Sequence, residues 1–169
     1  FMRYGIRGGG GVQHSGSPQP WYWNTPGLQV AMPSSPADAK GLLRTALLKS
    51  QNPTIFFAHE RLMDQRGTVP DGEYDIPFGQ AAVKREGRDV TIMATGLLVA
   101  EAIRAAQQLE AEGVSARVID LYSIKPLDRE TIAKAARETG AIVCAEEHLV
   151  DGGLGVRVAQ VIAETSPCV

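Results

Sequence analysis

His14 lies between a run of four glycines, residues 8–11, and the aromatic run Trp21-Tyr22-Trp23. Glycine lets backbone N–H groups come close to an anion or a carbonyl oxygen. An imidazole titrates near neutral pH, so it can give or take a proton in such a loop. A polar loop histidine satisfied by backbone groups is the plainer alternative, and a lone glycine-rich loop does not decide between them. The loop has neither the terminal Lys-Ser/Thr of a phosphate loop nor the dinucleotide spacing. A second group, Glu146-Glu147-His148, closes an apolar run. It has the residue types of an acid–base or metal cluster. Without helical histidine spacing or a cysteine partner, a hydrogen-bonded strand-end cluster at a domain or subunit interface is favoured. His59 sits in "AHERL" beside Arg61, where structural pairing with a carboxylate is the default. Trp21, Tyr22 and Trp23 suit packing in a core or at a subunit contact.

The elements around these residues alternate. Residues 28–32 (LQVAM) and 54–58 (TIFFA) read as strands flanking a helix over 38–49. That helix carries Ala39, Leu42, Leu43, Ala46 and Leu47 on one predicted core face. Residues 64–78 are rich in Gly, Pro and Asp without an apolar period, so they read as a connector, with an edge strand at 79–84. A second alternating region follows. Strands are predicted at 90–94, 117–121 and 141–145, separated by a helix over 99–112 and one capped by Asp128 and closed by Gly140. A last helix spans 154–164. The three later strands should share one parallel sheet with right-handed crossovers. Sites in such sheets lie at the carboxyl ends of strands. Here those ends are Thr95-Gly96, Tyr122-Ser123 and Glu146 to His148.

The formal net charge of -2, with no dense Lys/Arg block, weighs against nucleic-acid binding. No apolar stretch reaches the length of a membrane span, and no secretory signal is evident. Cys144 and Cys168 form no disulfide framework and no metal-ligand spacing.

The words Gln13-His14-Ser15, Trp21-Tyr22, Pro26-Gly27-Leu28, Pro33 and Asp38-Ala39-Lys40-Gly41-Leu42 occur in that order. "NPTIFFAHERL", "VIDLYSIKPLD" and "EEHLVDGGLG" follow. Together they resemble the β subunit of thiamine-diphosphate-dependent 2-oxoacid dehydrogenases of the pyruvate, branched-chain and acetoin types, within the transketolase superfamily. The resemblance implies an α/β fold: part of a doubly wound pyrimidine-binding domain, then a transketolase C-terminal-like parallel-sheet domain. The expected division is 1–63 for the later half of the first domain, 64–88 for the linker, and 89–169 for an incomplete second domain. It also implies that His14 is the catalytic residue, touching substrate or intermediate or assisting acyl transfer to a lipoyl group. Thiamine diphosphate and magnesium would be the cofactors, held mainly or partly by a separate α subunit. A second β subunit and a lipoyl acyltransferase core would be further partners. The location would be the cytoplasm, or the mitochondrial matrix in a eukaryote.

Two departures from the family pattern stand out. The glutamate of a "GED"-like word, which bonds the pyrimidine ring, has no counterpart before His14, so the chain is expected to be partial at both ends and inactive alone. Lys49-Ser50-Gln51-Asn52 replaces a stretch that often carries an aspartate near a monovalent-cation site, so the resemblance does not carry a bound potassium over to this chain. Two other readings stay open: the C-terminal part of a split transketolase, and a non-catalytic scaffold or assembly subunit.

Overall fold

The strand β3 (Thr54–His59) buries Phe56, Phe57 and His59. Two parallel neighbours flank it, β1 (Met2–Tyr4) and β2 (Gln29–Ala31). A computed structural model describes residues 1–6 and 10–167 of the chain. Gly8, Gly9 and Cys168 therefore fall outside the described residues. β2 also pairs antiparallel with β7 (Ser123–Lys125), so the first sheet runs β1-β3-β2-β7. The second sheet runs β4-β6-β5-β8. Its centre, β5 (Val90–Ala94), is parallel to both β6 (Ala116–Asp120) and β8 (Ile142–Ala145). β4 (Ala82–Arg85) lies antiparallel along the outer side of β6, at the sheet edge. The three later strands thus share one parallel sheet, as their apolar β-branched content between capped helices requires.

Side chains alternate across a strand, and that alternation divides the core. Met93 and Ile119 point to a cluster that also holds Val30 and Phe57 of the first sheet. The helices α5 (Arg129–Thr139) and α6 (Leu154–Thr165) add Ile132, Leu154 and Val158 to this cluster. Ile92, Ala94 and Val118 point the other way, onto Val99, Ala102 and Ala106 of α4 (Leu98–Ala111). One core therefore belongs to both sheets.

The helix α3 (Pro36–Leu48) corrects the face predicted for it. Its buried positions are Asp38, Gly41, Leu42 and Thr45, while Leu43 and Leu47 are exposed. The connector explains the rotation, because it lies on the polar side of the helix and satisfies it. Tyr74 Oη donates to the Ala37 carbonyl at 2.7 Å, and Thr45 Oγ1 donates to the Ile76 carbonyl at 2.7 Å. The Ile76 amide donates to the Gly41 carbonyl at 3.2 Å. A Cβ on Gly41 would stand 2.5 Å from Ile76 Cγ1, so only glycine admits this contact.

Asp128 anchors both the start of α5 and the approach to β4. Its Oδ1 accepts from the Thr131 amide at 2.9 Å, and its Oδ2 accepts from the Ala81 amide at 2.9 Å. Asp128→Ala should cost about 0.5–2 kcal/mol, the usual range for a lost N-cap. A urea titration checks this, and an unchanged midpoint would show that water replaces the cap without loss.

Candidate active site

The carboxyl ends of strands from both sheets meet at one seam. Ser34, just past β2, donates through Oγ to Oδ2 of Asp120, the last residue of β6, at 2.5 Å. His59, the last residue of β3, lies 3.0 Å through Nε2 from Oε2 of Glu147, just past β8. Tyr4, the last residue of β1, lies against Gly96, just past β5. A Cβ there would be 2.1 Å from the Tyr4 hydroxyl, and Gly96 has φ +55.

His14 lies in the short helix α1 (Gly11–Ser15) and is exposed. It has no hydrogen-bond or ion-pair partner among the described residues. The base of its loop is closed where the Gly5 amide donates to the Gly16 carbonyl at 3.2 Å. The next short helix, α2 (Pro20–Trp23), packs the loop down. Tyr22 meets Phe57 at 5.9 Å between ring centroids, and the Arg157 guanidinium lies 5.3 Å from the centre of the Trp23 ring. Trp21 is 77% exposed. The aromatic run therefore divides between packing and an open surface.

The group Glu146-Glu147-His148 divides three ways. Glu147 reaches across the seam. Glu146 Oε1 accepts from the Gly155 amide at 3.1 Å, and burial raises its carboxyl above the ordinary range. His148 Nδ1 lies 2.9 Å from the Leu149 carbonyl oxygen. No group of three or more His, Cys, Asp or Glu able to hold a metal occurs among the described residues. The structural alternative, a strand-end cluster between sheets, describes this arrangement. His59 also differs from the expected pairing. The carboxylate falls to His59 itself, and Arg61 contributes its backbone amide, which donates to His59 Nδ1 at 3.1 Å.

Sequence reasoning missed the most deeply buried charged group. Asp120 is fully buried, and burial pushes its carboxyl up to about 7 against the opposing pull of Lys84 and Ser34. Lys84 Nζ lies 2.9 and 3.0 Å from the two oxygens of Asp38 and 3.6 Å from Asp120 Oδ2. Asp120 Oδ1 and Thr95 Oγ1 have no hydrogen-bond partner among the described residues. No spacing signal announces this network, because Asp120 closes an apolar run and Lys84 lies on an edge strand. Burial, with Glu146 nearby, also raises the Cys144 thiol to about 11, so it stays protonated and unreactive at neutral pH.

Family comparisons agree with this two-sheet arrangement. The model for the transketolase pyrimidine binding domain matches residues 1–65, and that for the transketolase C-terminal domain matches residues 79–168. The chain belongs to the transketolase family. Within that family it is 44% identical over 161 residues to 2-oxoisovalerate dehydrogenase subunit beta of Bacillus subtilis, covering 92% of this chain and 49% of the relative. It is 40% identical over 166 residues to the mitochondrial pyruvate dehydrogenase E1 component subunit beta of Pisum sativum, covering 96% and 46%. The chain thus spans about half the length of the curated relatives it matches. Among solved structures, a split gene transketolase described as an inactive beta4 tetramer is 35% identical, with a TM-score of 0.84 over 98% of this chain and 53% of that one. The transketolase-family matches follow the two sheets, with one crossing. β7 falls in the second match but pairs with β2 in the first.

Proposed function

We propose that these residues are part of the β subunit of a thiamine-diphosphate-dependent 2-oxoacid dehydrogenase. Its reaction is oxidative decarboxylation of a 2-oxoacid with transfer of the acyl group to a lipoyl arm. The observation that carries this reading is the 44% identity to a 2-oxoisovalerate dehydrogenase β subunit, which spans 92% of the chain. Thiamine diphosphate, when bound, would supply the electron sink for decarboxylation, while this chain's residues supply orientation and proton transfer. The fit of that group to this chain rests on His14. An exposed imidazole without a partner among the described residues is free to face a ligand held from outside the chain. In this reading His14 gives or takes a proton at the substrate oxygen or at the lipoyl sulfur as the acyl group moves. Magnesium and the diphosphate are held by an α subunit, and a second β subunit and a lipoyl acyltransferase core complete the assembly. The proposed domain division is 1–63, 64–88 and 89–169, with β4 reaching back from the linker into the second sheet. The cytoplasm, or the matrix in a eukaryote, is the proposed location.

The split gene transketolase at 35% identity over 98% of the chain favours a second reading, ketol transfer between sugar phosphates. One assay separates the two. The subunit containing this chain is assembled with its α partner, magnesium and thiamine diphosphate. It is then offered pyruvate or a branched 2-oxoacid with a lipoyl acceptor, or a ketose phosphate with an aldose phosphate acceptor. Carbon dioxide release from a 2-oxoacid supports the first reading. Turnover of the ketose phosphate alone overturns it in favour of the second.

A further inference from the structure

The His14 loop is held at its base by a residue of the other sheet. The chain leaves β1 at Tyr4 and turns at Gly5, which has φ +88. The next amide, Ile6 N, donates to Glu147 Oε1 at 2.6 Å. The second oxygen of the same carboxylate, Oε2, lies 3.0 Å from His59 Nε2. The tautomer follows from the partners. His59 Nδ1 accepts from the Arg61 amide at 3.1 Å, so the ring proton sits on Nε2 and is donated to Glu147. The His59 side chain is 0% exposed, and the Tyr4 ring meets it edge-on at 4.9 Å between centroids. A Cβ on Gly5 would stand 2.2 Å from His59 Nε2, so the loop backbone lies directly on the imidazole. One carboxylate thus joins the exit of β1 to the buried end of β3. The Gly5–Gly16 hydrogen bond then closes the loop that carries His14.

We propose that Glu147, acting through Ile6 and His59, is a positioning residue for His14. It couples the second sheet to the loop that the proposed function places at the reacting atoms, and the proposal rests on that reading of His14. The carboxylate suits the task. It presents two acceptor oxygens to two donors, and charge-assisted hydrogen bonds are shorter and stronger than neutral ones. Glutamine offers one acceptor only, and its amide N–H would face the His59 N–H donor. Alanine offers none.

The test has two arms. In the first, amide hydrogen exchange is followed by NMR in the β subunit that contains these residues, with Glu147→Ala and Glu147→Gln variants. Exchange at Gly5 and Ile6 should quicken by roughly 10–100-fold in the alanine variant, the loss expected for a hydrogen bond to a charged group. The glutamine variant should fall between, while amides of β5 and β6 keep their protection. Unchanged exchange at Gly5 and Ile6 overturns the proposal. So does loss of protection throughout the chain in both variants, which would make Glu147 a determinant of the fold and not of the loop. In the second arm, the assembled enzyme carrying Glu147→Ala should lose about tenfold in kcat with KM for the 2-oxoacid little changed. Adding the variant to His14→Ala should cost almost nothing further, since a positioning residue has nothing left to position. Full additivity overturns the coupling. Quickened exchange with no effect of either variant on turnover would leave the loop anchor standing and remove His14 from the reaction.

Discussion

His14→Ala in the assembled enzyme should lower acyl transfer or decarboxylation by roughly 10²–10⁴-fold, the usual contribution of a positioned acid or base. Affinity for thiamine diphosphate should change far less, because the proposed contact is with the reacting end of the cofactor and not with its diphosphate. The structure supports the asymmetry. His14 is exposed and supports none of the core, whereas Tyr22 of the next short helix packs on Phe57. The variant should therefore fold and assemble normally, and the loss should fall on turnover. Single-turnover measurement of carbon dioxide release and of acyl transfer shows which step needs the proton. Near-wild-type rates in both would remove His14 from the mechanism.

Lys84→Met should be the most destabilising single change outside the apolar core, and its size should depend on pH. Lys84 is the cation of a network with two buried carboxylates, Asp38 and Asp120, and its side chain is 23% exposed. Removing one partner of a buried ion pair costs roughly 3–5 kcal/mol, because the other charge stays desolvated and uncompensated. The sign of the pH effect follows from Asp120, whose native carboxyl is pushed up to about 7 from an ordinary 3.8. Between those values the native state keeps a proton that the unfolded state has released. The contribution of this group to stability is therefore full below the unfolded value and is lost as pH rises through about 7. At pH 5 the native Asp120 is neutral, and the substitution strands Asp38 alone. At pH 8 the wild-type Asp120 has released its proton, and the variant, which lacks the pull of Lys84, must either hold that charge without its cation or take the proton back, and either adds to the loss. Ser34, Ser35 and Tyr122 also face the network. The Tyr122 ring lies 5.8 Å from Lys84 Nζ, and burial pushes its hydroxyl up to about 12, so it stays neutral throughout this window. Urea denaturation at the two pH values should give the larger loss at pH 8, and Asp120→Asn added to Lys84→Met should restore part of it. An equal loss at both values would mean that Asp120 does not titrate in this window.

The parallel sheet of β5, β6 and β8 was legible because its signals are local. Short β-branched runs alternate with helices whose ends can be read, a start from Asp128 and stops from Gly113 and Gly140. The buried face of α3 was not legible. Counting apolar residues favoured Leu43 and Leu47, while the true face pairs Asp38 and Thr45 with groups distant in sequence. β7 escaped for a similar reason. It is three residues long and pairs with a strand of the other sheet. The candidate site was legible in parts. His14 stood out by its glycines and its aromatic neighbours, but only the family resemblance gave it a proposed role. The bond between His59 and Glu147 joins residues 88 apart in the chain, and two separate strand ends do not reveal that they meet.

The claim that this chain supplies the reacting face of a shared site is tested most directly by cofactor binding. Thiamine diphosphate and magnesium are titrated by calorimetry into the 169-residue chain, into an α subunit, and into the longer β subunit mixed with α. Saturable binding should appear with the assembled pair, and the 169 residues alone should give none. Tight binding of thiamine diphosphate by the 169-residue chain alone would contradict the claim. It would show that a complete cofactor site lies among residues assigned here to packing and to the seam between the sheets.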